Sequence, residues 1–124
     1  MLEPVIAENL DRAEACWVQA LRRLGPPDVS AHYAAPSGCE GWSNRDLVNH
    51  LVGGGLRYAM LLAQDPPAEV EATRDRDHLG EDPLEAFWTH ERRFRRLAAE
   101  VDLSVPVSHR IGDLPGTQLV RMRI

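Results

Sequence analysis

A chain of 124 residues can form one domain around one hydrophobic core but is too short for two. Hydrophobic residues make up 44% and charged residues 27% of the sequence, and no apolar stretch approaches the roughly 18 residues that span a membrane, so we expect a soluble protein without a membrane partner. The formal net charge of −5 argues against nucleic acid as a partner, because phosphate binding requires a concentrated basic surface.

The N-terminal residues, Met1 to Leu10, contain no basic segment followed by an apolar one. A secretory signal would show that pattern, so we expect a cytoplasmic protein. In that compartment Cys16 and Cys39 should be free thiols, since two cysteines without close spacing give neither a disulfide framework nor a zinc motif.

The first predicted helix covers residues 4–24 and ends at Gly25-Pro26-Pro27. Its apolar residues recur at helical spacing and form one stripe, which is typical of an amphipathic helix that packs on one side. The stripe consists of Ile6, Leu10, Ala13, Trp17, Ala20, Leu21 and Leu24.

The second predicted helix begins after Ser43 and runs to about Ala63. Ser43 is a good N-cap, and Asp46 at the third helical position completes a variant of the capping box. Trp42, just before the cap, is placed to form a hydrophobic staple. The helix carries His50 and then three consecutive glycines, at positions 53–55.

Residues 64–81 are polar and contain Pro66-Pro67, so they are predicted to be a long connection without secondary structure. The third helix should begin after Asp82, with Pro83 in its first turn, and continue to about Val101. His90 and Glu91 flank its apolar stripe. We expect them to be partly exposed and paired with the arginines at 93–96, and regard them as reserve metal ligands at best.

The C-terminal part is predicted to contain an extended segment at 104–110 and a turn at 112–116. Residues 117–124 resemble the opening of a fourth helix, which at 1.5 Å per residue would be only about 12 Å long. The fold class predicted from these elements is all-α, with residues 1–124 forming a single helical bundle whose fourth helix is cut short.

His50 lies at the edge of the apolar face of the second helix, which suits a metal ligand. Neutral imidazole is the commonest protein metal ligand, and Asp46, one turn earlier, could hold the other ring nitrogen. The alternative is a structural histidine that only hydrogen-bonds Asp46. Each glycine in a helix interior costs about 1 kcal/mol relative to alanine, so we assign Gly55 to close helix packing and Gly54 to a cavity beside His50.

Two motifs give the sequence a recognisable family. "GCEGWSNRDLVNHLVGG" and, much later, "RIGDLPGTQLVRMRI" resemble the N-terminal metal-binding domain of mycothiol-dependent maleylpyruvate isomerases and the wider DinB-like family of four-helix bundles. Glu40 stands where that family usually has proline. The resemblance covers most of the chain and implies a DinB-like bundle with a long crossover.

The resemblance implies a divalent metal of the zinc or nickel type, held by one histidine of the second helix and by two residues of the last helix. His50 matches the first ligand. The other two would lie beyond Ile124, which makes His50 the one ligand of that type expected within the chain. A low-molecular-weight thiol such as mycothiol is the implied cosubstrate, and the substrate would be a small molecule that the sequence does not identify.

Two functions remain open from the sequence. The domain could belong to a metal- and thiol-dependent isomerase or S-transferase, or it could be a non-catalytic bundle that serves as a dimerisation or protein-interaction module. Three amphipathic helices and a short fourth would expose an apolar strip that monomers rarely tolerate. We therefore expect a homodimer, for which exchange of the C-terminal segment is one possible arrangement.

Overall fold

The fold is known from a computed structural model that describes residues 2–28 and 30–124; Met1 and Val29 of the predicted domain lie outside this description. A short 3₁₀ turn at Ala31–Tyr33 follows the first helix. The elements in chain order are α1 (Pro4–Leu24), α2 (Asn44–Leu62), α3 (Pro67–Glu71), α4 (Pro83–Glu100), β1 (Pro106–His109), β2 (Gly112–Pro115) and α5 (Gly116–Met122).

The long helices begin where their capping residues predict. The Ser43 side chain accepts a hydrogen bond from the backbone N–H of Asp46, and the Asp46 side chain accepts one from the N–H of Ser43, which is a complete capping box. At α4 the Asp82 side chain accepts a bond from the N–H of Glu85, and Pro83 occupies the first turn. These contacts satisfy backbone donors that have no partner within the helix.

The core consists of two clusters stacked along α2, with α4 as the principal helix packed against it. One cluster gathers Phe94 of α4, Leu10 of α1 and Leu119 of α5 around the C-terminal half of α2. The other gathers Phe87 and Leu21 around the N-terminal half. The cavity described below lies against the face of α2 that α3, the hairpin and α5 approach.

Two predictions of secondary structure were wrong. The connection at 64–81 contains α3, a single turn that begins at Pro67 and is anchored by Val70, a residue only 5% exposed. One anchoring apolar residue gives no periodicity, which explains why the pattern missed it. Residues 112–115 form β2, paired antiparallel with β1, so the turn lies at Arg110-Ile111 and α5 begins at Gly116.

The predicted all-α class is confirmed, since the two-stranded hairpin is the one sheet in the described part of the chain. The extended segment at 104–110 is confirmed by β1. Within residues 2–28 and 30–124, every helix is too short or too polar to cross a membrane.

Candidate small-molecule site

A cavity of about 1000 Å³ lies between α2, α3, the hairpin and α5. His50, Gly54 and Arg57, which follow one another along α2, line it from one side. Trp17 of α1 and Met122 of α5 contribute apolar surface. A cavity of this size with both polar and apolar walls can hold a small organic molecule.

His50 lies between this cavity and a second one of about 600 Å³. Its ring packs against Trp42, with ring centroids 5.2 Å apart. Although the residue keeps an exposed side, partial loss of hydration and then the charges of Arg57 and Arg74 lower the pKa of His50. Neutral imidazole therefore predominates at neutral pH, and this is the form that can accept a proton or bind a metal.

Asp46 does not hold the imidazole as predicted. Its Oδ2 accepts the backbone N–H of Ser43 at 2.9 Å, and no hydrogen bond between Asp46 and His50 is formed among the residues described. The carboxylate thus serves the helix N-terminus, where negative charge is favourable.

The three glycines make room for side chains of α2 itself and of the segments packed against it. A Cβ at Gly53 would lie 2.6 Å from Cδ2 of His78 and 2.9 Å from Nη1 of Arg57. Real Cβ atoms do not approach other heavy atoms this closely, so Gly53 is the notch in which both side chains fit. The predicted close contact at Gly55 is present, because a Cβ there would lie 3.3 Å from Cβ of His90.

Arg123 reaches across α2 at the other two glycines. A Cβ at Gly54 or Gly55 would lie 3.1 Å from its guanidinium. The guanidinium donates to the carbonyl of Leu51 at 3.1 Å and to Oε2 of Glu91 at 2.7 Å. Gly54 lines the cavity as predicted, but it also admits Arg123.

The structure places Glu91 and His90 next to groups other than His50. Glu91 is 1% exposed and bound by Arg123, so the expectation that it is partly exposed and paired with the arginines of its own helix was wrong. His90 is half-buried, and its ring lies edge-on to that of His78 at 6.3 Å. Across residues 2–28 and 30–124, no three His, Cys, Asp or Glu side chains are grouped to hold a metal ion.

The cavity has a basic wall that sequence reasoning missed. Arg57, Arg74 and Arg110 line both cavities. Arg57 lies seven residues after His50, two helical turns along nearly the same face, and that spacing could have revealed it. Arg74 and Arg110 come from the connection after α3 and from the hairpin, so their approach to α2 depends on tertiary structure.

The helical fold is consistent with a DinB-like bundle, and its cavity lies beside a histidine of the second long helix. The sequence matches the mycothiol maleylpyruvate isomerase N-terminal domain family over residues 13–124. The chain therefore belongs to this family, which confirms the resemblance seen in its motifs. No curated protein and no solved structure gives a significant match.

Proposed function

We propose that this domain binds a small-molecule substrate in the cavity beside His50 and acts in a thiol-dependent isomerase or S-transferase reaction. The observation that carries the proposal is the position of His50 at the wall of a cavity of about 1000 Å³. Membership of a family named for a mycothiol-dependent isomerase supports mycothiol or a similar thiol as cosubstrate.

The described residues do not by themselves fit a resident divalent metal. Coordination normally requires three or more protein ligands, and the charged groups that act on His50 are arginines, whose positive charges oppose a cation. We assign no step of the reaction to a metal. Of the residues predicted as ligands, we retain only His50, as the position where this chain would contribute to a zinc or nickel centre, because its imidazole is neutral and accessible.

Metal analysis of protein purified without chelator tests this assignment. Wild-type protein, His50→Ala and the control His32→Ala should be compared, because His32 is an exposed histidine of the 3₁₀ turn that lines neither cavity. Metal near one equivalent that is lost only in His50→Ala would support the ligand role. Equal metal content in all three proteins would exclude it.

Calorimetric titration with mycothiol tests the thiol proposal separately. Saturable binding that a folded Gly54→Leu variant lacks would support it, because a leucine side chain at Gly54 occupies the wall of the cavity, beside Arg123. The matched control is Gly38→Leu, at a position where an added Cβ meets open space. Absence of thiol binding to folded wild-type protein would contradict the proposal.

A second candidate function is dimerisation, favoured by exposed apolar side chains at the same cavity. Ile111 is 75% exposed, Ile124 47% and Met122 39%, and all three line it. We propose a homodimer that covers them. Sedimentation across micromolar concentrations should show a dimer that Ile111→Asp dissociates, whereas Val5→Asp on α1 does not; a wild-type monomer throughout would exclude it.

A further inference from the structure

Positive charge is concentrated in the cavity although the chain as a whole is acidic. The described residues that line it include four arginines, Arg57, Arg74, Arg110 and Arg123, and one acid, Glu71. The formal net charge of the protein is −5. The basic wall is therefore a local feature and does not follow from composition.

The charge of Arg123 is neutralised within the fold, whereas the other three arginines have one carboxylate among them. Arg123 pairs with buried Glu91. Arg74 and Arg110 share the single carboxylate of Glu71, at 3.2 and 3.5 Å, in pairs that solvent reaches, since the Glu71 side chain is 47% exposed. Such pairs are worth little and rearrange easily.

Arg57 is buried, at 6% exposure, and lacks a carboxylate partner in the described part of the chain. Its Nη1 donates to Oγ1 of Thr73 at 3.4 Å, and its Nη2 donates to the carbonyl of His50 at 3.3 Å. The hydroxyl of Thr73 donates in turn to the carbonyl of Val70, which fixes its oxygen as an acceptor. These long bonds use two of the five N–H donors of the guanidinium.

A buried cation without a counter-ion is costly, and a bound anion removes the cost. The guanidinium plane matches a carboxylate or a phosphate, which accept two parallel N–H donors. Apolar side chains also line the cavity, among them Trp17, Leu51 and Met122. A ligand that uses both kinds of lining has an oxyanion and an apolar body.

We propose that the cavity binds the oxyanion group of a small organic molecule, with Arg57 as the buried anchor and with Arg74 and Arg110 at the entrance. The ligand class is a carboxylate or a phosphate ester. This inference deepens the proposed function by naming the charge of the molecule bound in the same cavity. It requires neither a metal nor a thiol.

Calorimetric titration of chelator-treated protein with succinate and with inorganic phosphate, at constant ionic strength, tests the proposal. We expect saturable binding of at least one probe, and the tighter one identifies the carboxylate or the phosphate class. Arg57→Gln should weaken binding at least about tenfold, as expected for loss of a charge-assisted pair. The control Arg12→Gln, at an exposed arginine outside both cavities, should bind as wild type does.

Arg110→Gln keeps the test decisive if Arg57→Gln does not fold. The Arg110 side chain is 58% exposed, so its replacement should not affect folding. We expect Arg110→Gln to bind the oxyanion probe several-fold more weakly than wild type does. The proposal is overturned if neither probe binds wild-type protein, or if the folded arginine variants bind as tightly as Arg12→Gln does. Because thiol and metal are absent from this assay, failure of the thiol-dependent function leaves its result unchanged.

Discussion

Two groups of arginines in the bundle differ in whether a buried carboxylate pairs with them. Buried Glu14 of α1 and Glu91 of α4 are matched by Arg95 and Arg123, at 2.8 and 2.7 Å. Arg57 of α2 is also buried but is held only by neutral oxygens. Charge is thus balanced inside the first group and left unbalanced in the second.

This difference separates charges that hold the fold together from charges available to a ligand. Breaking a buried ion pair strands one charge in a medium of low polarity, so both partners are needed for stability. An unmatched buried cation stabilises nothing by itself and instead favours an anion from solution. The comparison predicts opposite responses to removal of an arginine in the two regions.

The largest effect is expected for Arg123→Met, which removes the partner of Glu91. The side chains of the pair are 9% and 2% exposed, so the remaining carboxylate is left buried without its cation. We expect the free energy of unfolding to fall by about 3–5 kcal/mol, measured by urea denaturation.

Two further variants decide whether the ion pair is the cause. The double variant Glu91→Leu with Arg123→Met should recover most of the loss, because it leaves no charge unpaired. Arg121→Met, at an exposed position of the same helix, should change stability by less than about 0.5 kcal/mol. Equal losses in Arg121→Met and Arg123→Met would remove the distinction between the two groups.

A smaller effect is expected from the pH dependence of stability at Glu14. Burial raises the pKa of Glu14 from 4.5 to about 7, with the charge of Arg95 opposing and that of Glu91 adding to the shift. Its Oε2 is buried without a hydrogen-bond partner among the residues described. The folded state therefore holds this proton more tightly than the unfolded chain does.

The contribution of the Glu14 proton to the free energy of unfolding is fully present below about pH 4.5. It is lost as the pH rises through about 7. The free energy of unfolding therefore falls as the pH rises through this range. Urea denaturation at pH 5 and pH 8 should show it as a difference between wild type and Glu14→Gln, whose amide stays neutral. Glu8→Gln, on the exposed side of the same helix, should show the same pH dependence of stability as wild type. If Glu14→Gln also shows the wild-type pH dependence, Glu14 does not hold a buried proton.

Gly53→Ala tests the notch that positions Arg57. Alanine gains about 1 kcal/mol in helix propensity, but its Cβ would meet the His78 ring at 2.6 Å. That ring is tethered, since its Nε2 bonds the carbonyl of Thr73 at 2.7 Å and the backbone N–H of His78 donates to Asn49 at 2.7 Å. Overpacking of this kind costs about 1–3 kcal/mol, so we expect net destabilisation of about 1 kcal/mol.

Gly38→Ala is the control for this substitution, because a Cβ there meets open space. Thermal unfolding should show no loss of stability in the control. A stabilised Gly53→Ala would show that His78 and Arg57 move aside freely and that the notch does not position them.

The sequence was sufficient to predict the elements whose formation depends on residues of the element itself. The helices α1, α2 and α4 carry both periodicity and caps, such as Ser43 and Asp82, so their starts were predictable within a residue or two. It was insufficient for α3, where one buried valine is the only anchor, and for β2, whose pairing with β1 is a tertiary contact. The fold class and the family were therefore predictable, and the short elements were not.

For the site, the sequence identified His50 and a cavity at Gly54 but not what surrounds them. The contact that fills Gly54 and Gly55 joins Arg123 to Glu91, which are 32 positions apart. Helical spacing places Glu91 only on a flank of α4, and nothing local shows that an arginine of another helix covers it. Long-range charge pairing decided the burial of Glu91, and tertiary contacts brought Arg74 and Arg110 to the cavity.

The smallest effect, and the sharpest contrast with Arg123→Met, is expected for Arg57→Met. Methionine keeps most of the buried volume and removes a charge that has no acid partner, at the cost of two long hydrogen bonds to neutral oxygens. Replacing a poorly compensated buried charge with an apolar side chain is often neutral or stabilising, so we expect a change within about 1 kcal/mol, measured by urea denaturation, together with loss of oxyanion binding. A loss of stability as large as that of Arg123→Met would place Arg57 among the structural charges, and the cavity would then have no buried charge reserved for a ligand.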